Sequence, residues 1–295
     1  MNDSLVFRRL KIMKALRRLP RHRYDLLRSA GIGASILILL IVPLSGLARI
    51  DLWGGRHRLL FAPAGFKPAL AGVILGVSAM YVVTFLSNVV AGRMFCGWGC
   101  PVGQISRFGE ILDTPGQEAR RRRLALAKSL AFAFAFTLSM LAWWVDLSVL
   151  WRGDGAALAT TWGLLASGTL LGHLHGRFWR WDFCRRACPI GLYYTFMSPA
   201  KHYGIHFRNA LETCIECDAC DNVCPVHLAP RDLMTPIPSP GGFSVENAPG
   251  RNHCLECGDC VRACEWMVGL KGKAPVPLLL GLYRGPQRID APKRG

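Results

Sequence analysis

Residues 214–264 decide the reading of this chain. They hold CIECDACDNVC at 214–224 and CLECGDCVRAC at 254–264. In each run two residues separate the first three cysteines, and the fourth follows after three more. A C-x-x-C-x-x-C turn points three thiolates at three irons of one 4Fe–4S cubane. The fourth cysteine lies too far along to close on the same cube and reaches a second one. The spacing therefore assigns Cys214, Cys217, Cys220 and Cys264 to one 4Fe–4S cluster, and Cys254, Cys257, Cys260 and Cys224 to another. Zinc also accepts four thiolates, but its motifs usually pair two C-x-x-C knuckles across a longer gap. Pro225 follows the first run, whereas Glu265 follows the second, so the local backbone and potential of the two sites are expected to differ.

Outward from this stretch, the composition describes a membrane protein. The chain has 295 residues and a formal charge of +17, with a mean hydropathy of +0.25. High hydropathy together with high positive charge fits apolar spans with basic cytoplasmic flanks. It argues against a nucleic-acid binder, whose apolar residues would not gather in runs of about 20. All 12 cysteines fall in C-x-x-C or C-x-x-x-C spacings, which leaves none for a disulfide scaffold. There is no C-x-x-C-H for covalent haem. Thiols kept for metal fit a reducing compartment.

Four runs are each long enough to cross a ~30 Å hydrocarbon core. A basic N-terminal segment, 1–28, precedes the first, at about 29–48. The others lie at about 67–92, 124–145 and 155–174, with arginines at 120–123 flanking the third and Trp143 and Trp144 in an outer aromatic belt. An even number of spans leaves both termini in the cytoplasm. Residues 49–66 are expected to be an outside loop. Ile105, Phe108, Ile111 and Leu112 recur at helical spacing, as in an amphipathic helix at the membrane interface. The expected fold is a mainly α membrane protein: a four-helix membrane domain at 29–199, a two-cluster α+β domain at 200–270 and a tail at 271–295. VPLLLGLY in that tail is too short to span.

The membrane part repeats. FCGWGCPVG and FCRRACPIG match at an offset of 88 residues, so that Phe95, Cys96, Cys100, Pro101, Gly103 and Phe108 correspond to Phe183, Cys184, Cys188, Pro189, Gly191 and Phe196. Two spans per copy make the repeats parallel, related by an axis along the membrane normal. Each copy ends in a C-x-x-x-C-P turn. Cys96, Cys100, Cys184 and Cys188 could supply thiolates to one further metal centre, form a dithiol–disulfide couple, flank a quinone head group, or pack as inert thiols. Gly97 and Gly99 allow close backbone approach in the first copy; Arg185 and Arg186 stand there in the second. His173 and His175 lie at the end of the fourth span with no facing partner, which argues against intramembrane haem. His202 and His206 suit the surface or packing.

These features together resemble the NapH and MauN group of membrane ferredoxin-type proteins, over residues 29–264. The combination is four spans, C-x-x-x-C-P after the second and fourth, then two ferredoxin runs. The resemblance implies a quinol-linked iron–sulfur electron carrier in a bacterial inner membrane. Its partner would be a second iron–sulfur protein serving a periplasmic oxidoreductase of nitrate reduction or methylamine utilisation. An accessory role in maturing such an enzyme and a membrane redox sensor are the alternatives. The resemblance carries the cluster ligands over to the eight cysteines at 214–224 and 254–264. It leaves the role of the C-x-x-x-C-P cysteines open.

Overall fold

The computed structural model describes residues 23–112, 119–197, 203–207, 212–231, 233 and 253–282. The basic segment 1–22, His202 and the proline-rich linker at 235–242 lie outside them. The chain divides into two compact units. One, the helical unit, is Ser29–Thr84 with Gly99–Arg180; the other, the cysteine-rich unit, is Met1–Arg28, Phe85–Trp98 and Trp181–Gly295.

The helical unit is built on long apolar helices. Helix α1 covers Arg23–Ser45 and α2 covers Phe66–Ala91, both running on into the other unit. After α3 (Met94–Trp98) come α4 (Pro101–Leu112) and α5 (Ala119–Leu141). A single turn, α6 (Val149–Arg152), leads to α7 (Gly155–Leu174) and a π-turn at His175–Trp179. Three of these segments are long and apolar enough to cross a membrane: Arg23–Ser45, Phe66–Ala91 and Arg122–Leu141. Large apolar side chains stand outward on them; Leu75, for example, is 72% exposed. Such a surface is costly in water and suits lipid.

Four spans were expected, and the fourth is where the observation is narrower. At 20 residues α7 has the length, about 30 Å, but it is not among the three. Gly163, Gly168, Gly172, Thr160, Thr161 and Ser167 dilute its hydropathy. Some of those small residues meet α5: a Cβ at Gly168 would overlap the Thr137 side chain, and one at Gly172 would press on Ala133. Small residues at helix contacts let backbones approach closely.

Residues 49–66, expected as a loop, carry part of a small antiparallel sheet: β1 (Ala48–Arg49), β2 (Arg58–Leu59) and β3 (Ala62–Pro63), in that order. The segment after β1 is fastened to the end of α5, where the Ile50 N–H donates to the Trp143 carbonyl at 3.0 Å and Leu52 N–H to Trp144 at 3.1 Å. Arg49 closes the corner on Asp146 at 2.8 Å. The amphipathic helix α4 spends its apolar face on protein: Ile105 and Leu112 are buried, Phe108 meets Phe132 of α5 edge-on, and Gly109 lies against the Gly176 backbone.

The cysteine-rich unit holds α8 (Arg180–Arg186), α9 (Pro189–Met197), β4 (Tyr203–Phe207), α10 (Ala219–Val223), α11 (Asp259–Leu270) and β5 (Leu278–Leu282). Strands β4 and β5 pair antiparallel, Tyr203 opposite Leu282 and Phe207 opposite Leu278. The segment placed in a tail on sequence therefore supplies an edge of this sheet. Ile205, Phe207, Ala219, Val223, Val261, Ala263 and Leu278 form the core. Each cysteine run thus leads into a short helix packed over a two-stranded sheet. Pro101 and Pro189, the corresponding prolines of the repeat, each occupy the first position of a helix, where the missing N–H costs nothing.

Candidate functional site

The cysteine runs fold around two pockets. Cys224, Cys254, Cys257 and Cys260 line one, together with Ile205, Pro225, Val226 and Leu255. Cys214, Cys217, Cys220 and Cys264 line the other, together with Phe207, Ala219, Arg231 and Val268. The fourth cysteine of each run thus faces the pocket of the other run. The pockets are close in size, with about 320 and 340 Å³ of atom-free space, and their remaining linings are mostly apolar. Left-handed residues turn the runs: Glu216 and Asp218 in the first, Glu256 and Gly258 in the second. Glycine adopts that conformation freely and aspartate tolerates it, whereas the two glutamates are held in it by their surroundings.

The donor set fits a group with several metal corners. No disulfide joins any cysteine. Among the described residues, no three His, Cys, Asp or Glu side chains are placed to hold a single metal ion. A zinc ion would need its sulfurs about 2.3 Å from one point. Four thiols line each mostly apolar pocket, a donor set that an iron–sulfur cluster taking one thiolate at each iron would fit. Burial pushes the thiols toward their protonated form: Cys260 well up, Cys220 up by burial and by the neighbouring Asp221, and Cys264 up to about 11. Charge from a bound metal would be needed to hold them as thiolates at neutral pH.

Parts of the chain distant in sequence grip the loop at 255–259. Arg28 donates from Nη2 to the Cys257 carbonyl at 2.5 Å and pairs with Asp259 at 3.1 Å. The Trp98 indole N–H donates to the Glu256 carbonyl at 2.7 Å, and Tyr24 stacks edge-on against Trp98 with centroids 5.8 Å apart. Glu256, almost wholly buried, accepts the Ile205 N–H at 2.7 Å and so ties the loop to β4. Gly97, between the first pair of C-x-x-x-C-P cysteines, makes this contact possible: a Cβ there would overlap the Leu255 carbonyl oxygen and crowd Cys257.

Three of the four C-x-x-x-C-P cysteines lie in this unit. Cys184 is buried in one apolar cluster with Trp181, Cys224, Leu255 and Cys257, and Cys96 packs against that cluster. Cys188 Sγ accepts the Gly191 N–H at 3.4 Å. Burial pushes the Cys96 thiol up, and the nearby Arg93 guanidinium opposes this. Cys100 falls in the helical unit, where its carbonyl accepts the Gln104 N–H at the start of α4. His173 and His175 each meet a serine hydroxyl, Ser129 at 3.1 Å and Ser106 at 3.5 Å. The sequence reading passed over Arg28, Arg93, Trp98, Glu256 and Asp259. Arg28 looks like one more charge in a basic segment. Only the tryptophan set between two motif cysteines offered a signal.

Fold and site define a class: a largely helical protein with helices fit for a membrane and a cysteine-rich unit whose thiols surround two pockets. No family model matches the chain, and no solved structure does. It is similar to the methylamine utilization ferredoxin-type protein MauN of Methylorubrum extorquens, 29% identical over 161 residues, which are 52% of this chain and 54% of the relative. The chain thus matches about half the length of that relative. Two uncharacterized proteins of Methanocaldococcus jannaschii are also similar: one 23% identical over 65% of this chain and 69% of its own length, the other 21% identical over 68% and 80%. The likeness to a ferredoxin-type protein and the apolar helices together support membrane association, iron–sulfur chemistry and electron transport.

Proposed function

We propose that this chain is a membrane-bound electron carrier that holds two 4Fe–4S clusters. It would move electrons between the quinol pool and a partner iron–sulfur protein serving a periplasmic oxidoreductase of the methylamine-utilisation or nitrate-reductase type. One observation carries the reading: eight thiols line two pockets in crosswise sets of four. Cys224, Cys254, Cys257 and Cys260 would hold one cluster and Cys214, Cys217, Cys220 and Cys264 the other. Each cluster would supply a one-electron couple whose potential the surroundings set. The chain contributes mostly apolar walls, the Leu228 N–H that donates to the Cys224 sulfur at 3.3 Å, and the Arg28, Trp98 and Glu256 contacts that hold one ligand loop in place. The membrane role rests on the three apolar helices, with α7 proposed as a fourth span and both termini cytoplasmic.

The test is iron and acid-labile sulfide analysis of the purified full chain, combined with paramagnetic resonance before and after adding a quinol analogue in liposomes. Eight irons per chain and cubane signals that change with quinol are expected. A polypeptide without iron, or clusters indifferent to quinol, would sink the reading in its first or second half respectively. More than eight irons would point to the C-x-x-x-C-P cysteines.

A further inference from the structure

The pocket of Cys224, Cys254, Cys257 and Cys260 has a buried cation built beside it. The Arg28 side chain is 8% exposed. Its Nη2 donates to the carbonyl of a pocket cysteine, Cys257, and to Asp259. Its Nη1 stands 3.6 Å from Asp25, and its guanidinium carbon 6.0 Å from the Trp98 ring centre. Asp259 faces both ways: while one carboxylate oxygen meets Arg28, the other is 3.6 Å from the Cys257 sulfur. Other charges around the loop among the described residues include Arg262, paired with Asp25 at 2.6 Å, and the buried Glu256. The second pocket has its own cation, Arg231, paired with Asp218 at 2.5 Å and 3.6 Å from Asp221.

We propose that Arg28 is a positioning residue that sets the reduction potential of the group in the first pocket. This rests on the proposed function. Reduction adds one electron there and makes or breaks no bond of the chain. A buried cation one peptide away favours the form that carries the extra negative charge, because the low dielectric screens it little. Arg28 does this directly, and also by pairing with a carboxylate that stands 3.6 Å from a ligand sulfur. The chain thus tunes one centre through the N-terminal end of α1, an element outside the cysteine runs.

The test is a potentiometric titration of the intact, detergent-solubilised protein, followed by paramagnetic resonance. Arg28→Gln should shift one of the two reductions to lower potential and leave the other in place. Asp259→Asn should shift the same reduction upward. Arg28→Lys, which keeps the charge, should stay near the wild type. Arg231→Gln should lower the other reduction. Unmoved potentials in both Arg28→Gln and Asp259→Asn, or an equal shift of both reductions in Arg28→Gln, overturn the inference. If Arg28→Gln fails to take up iron, the opposite-signed Asp259→Asn shift decides. Wild-type protein without iron would overturn the function itself; loaded protein with unmoved potentials overturns only this tuning.

Discussion

Arg93 donates from Nη2 to the Cys184 carbonyl oxygen at 2.5 Å, and so joins the approach to the first C-x-x-x-C-P motif to the second. Arg93 is 1% exposed. It fits because position 191 is glycine; a Cβ there would overlap it. No carboxylate among the described residues pairs with it, and its Nε and Nη1 find no hydrogen-bond partner among them. An uncompensated buried charge costs several kcal/mol. One nearby group able to take negative charge is the Cys96 thiol, whose proton Arg93 loosens against the effect of burial.

Replacing Arg93 by Met should therefore slow alkylation of Cys96. Each pKa unit is worth about tenfold in thiolate at fixed pH, so a several-fold slower rate is expected near neutrality. Arg93→Lys should retain part of the wild-type rate. Peptide mass spectrometry after timed maleimide treatment reads this directly. An unchanged or faster Cys96 rate in Arg93→Met would show that the guanidinium acts only as packing.

Gly97 and Gly33 make a matched pair. A Cβ at Gly97 would strike the Leu255 carbonyl, whereas one at Gly33 meets nothing within 4 Å. Forcing atoms into a packed site costs about 1–3 kcal/mol, while Gly to Ala in an open helix gains about 0.5–1 kcal/mol. Gly97→Ala should lower the melting temperature in detergent, and Gly33→Ala should hold or raise it. Equal behaviour of the two variants would mean that α3 does not press on the 255–259 loop.

What could be read from sequence was whatever has a period. Long apolar runs gave four helices, 155–174 to the residue and the others to within about six, of which three are long and apolar enough to cross a membrane; cysteine spacing grouped the thiols into the same sets that line the two pockets. Their ligand role remains part of the proposal. What depends on contacts between distant residues had no such signal. The β2–β3 turn uses Leu60 and Phe61 at φ 50° and 66°, where a sequence reader expects Asn-Gly. β5 looks like a short greasy tail until β4 is there to pair with it. In α7, small residues that pack against α5 weaken the very hydropathy by which spans are recognised. Arg28 and Asp259 are 231 positions apart, and nothing local to either announces the pair.

The Arg49–Asp146 bridge at the β1 corner should be visible in acid. Although burial alone would raise it, the Asp146 carboxyl is held below its ordinary value by the Ser148 N–H and by the Arg49 guanidinium. A carboxylate with a depressed folded pKa stabilises the fold above its unfolded value, here 3.8. That contribution is lost as pH falls through the lower folded value. Asp146→Asn should thus lower stability at neutral pH by up to about 1.5–3 kcal/mol, the range for hydrogen bonds to charged groups. The deficit should narrow below about pH 4. Thermal melts in detergent between pH 3 and 7 would show it; a deficit independent of pH would assign the loss to packing.

The crosswise thiol sets give the most direct test of the site. If Cys224 serves the pocket of Cys254, Cys257 and Cys260, then Cys224→Ala and Cys254→Ala should remove the same paramagnetic signal and spare the other. Cys264→Ala and Cys214→Ala should remove the second signal together. An in-run arrangement predicts the reverse grouping, Cys224 with Cys214 and Cys264 with Cys254. Loading should also depend on pH in one direction. Burial keeps the Cys260 and Cys220 thiols protonated, and Cys264 up to about 11, so each ligand must shed a proton as iron arrives. Uptake by the iron-free chain should then be faster and more complete at pH 8.5 than at pH 7. Iron uptake indifferent to pH over that range would mean that these thiols are not the groups that bind it.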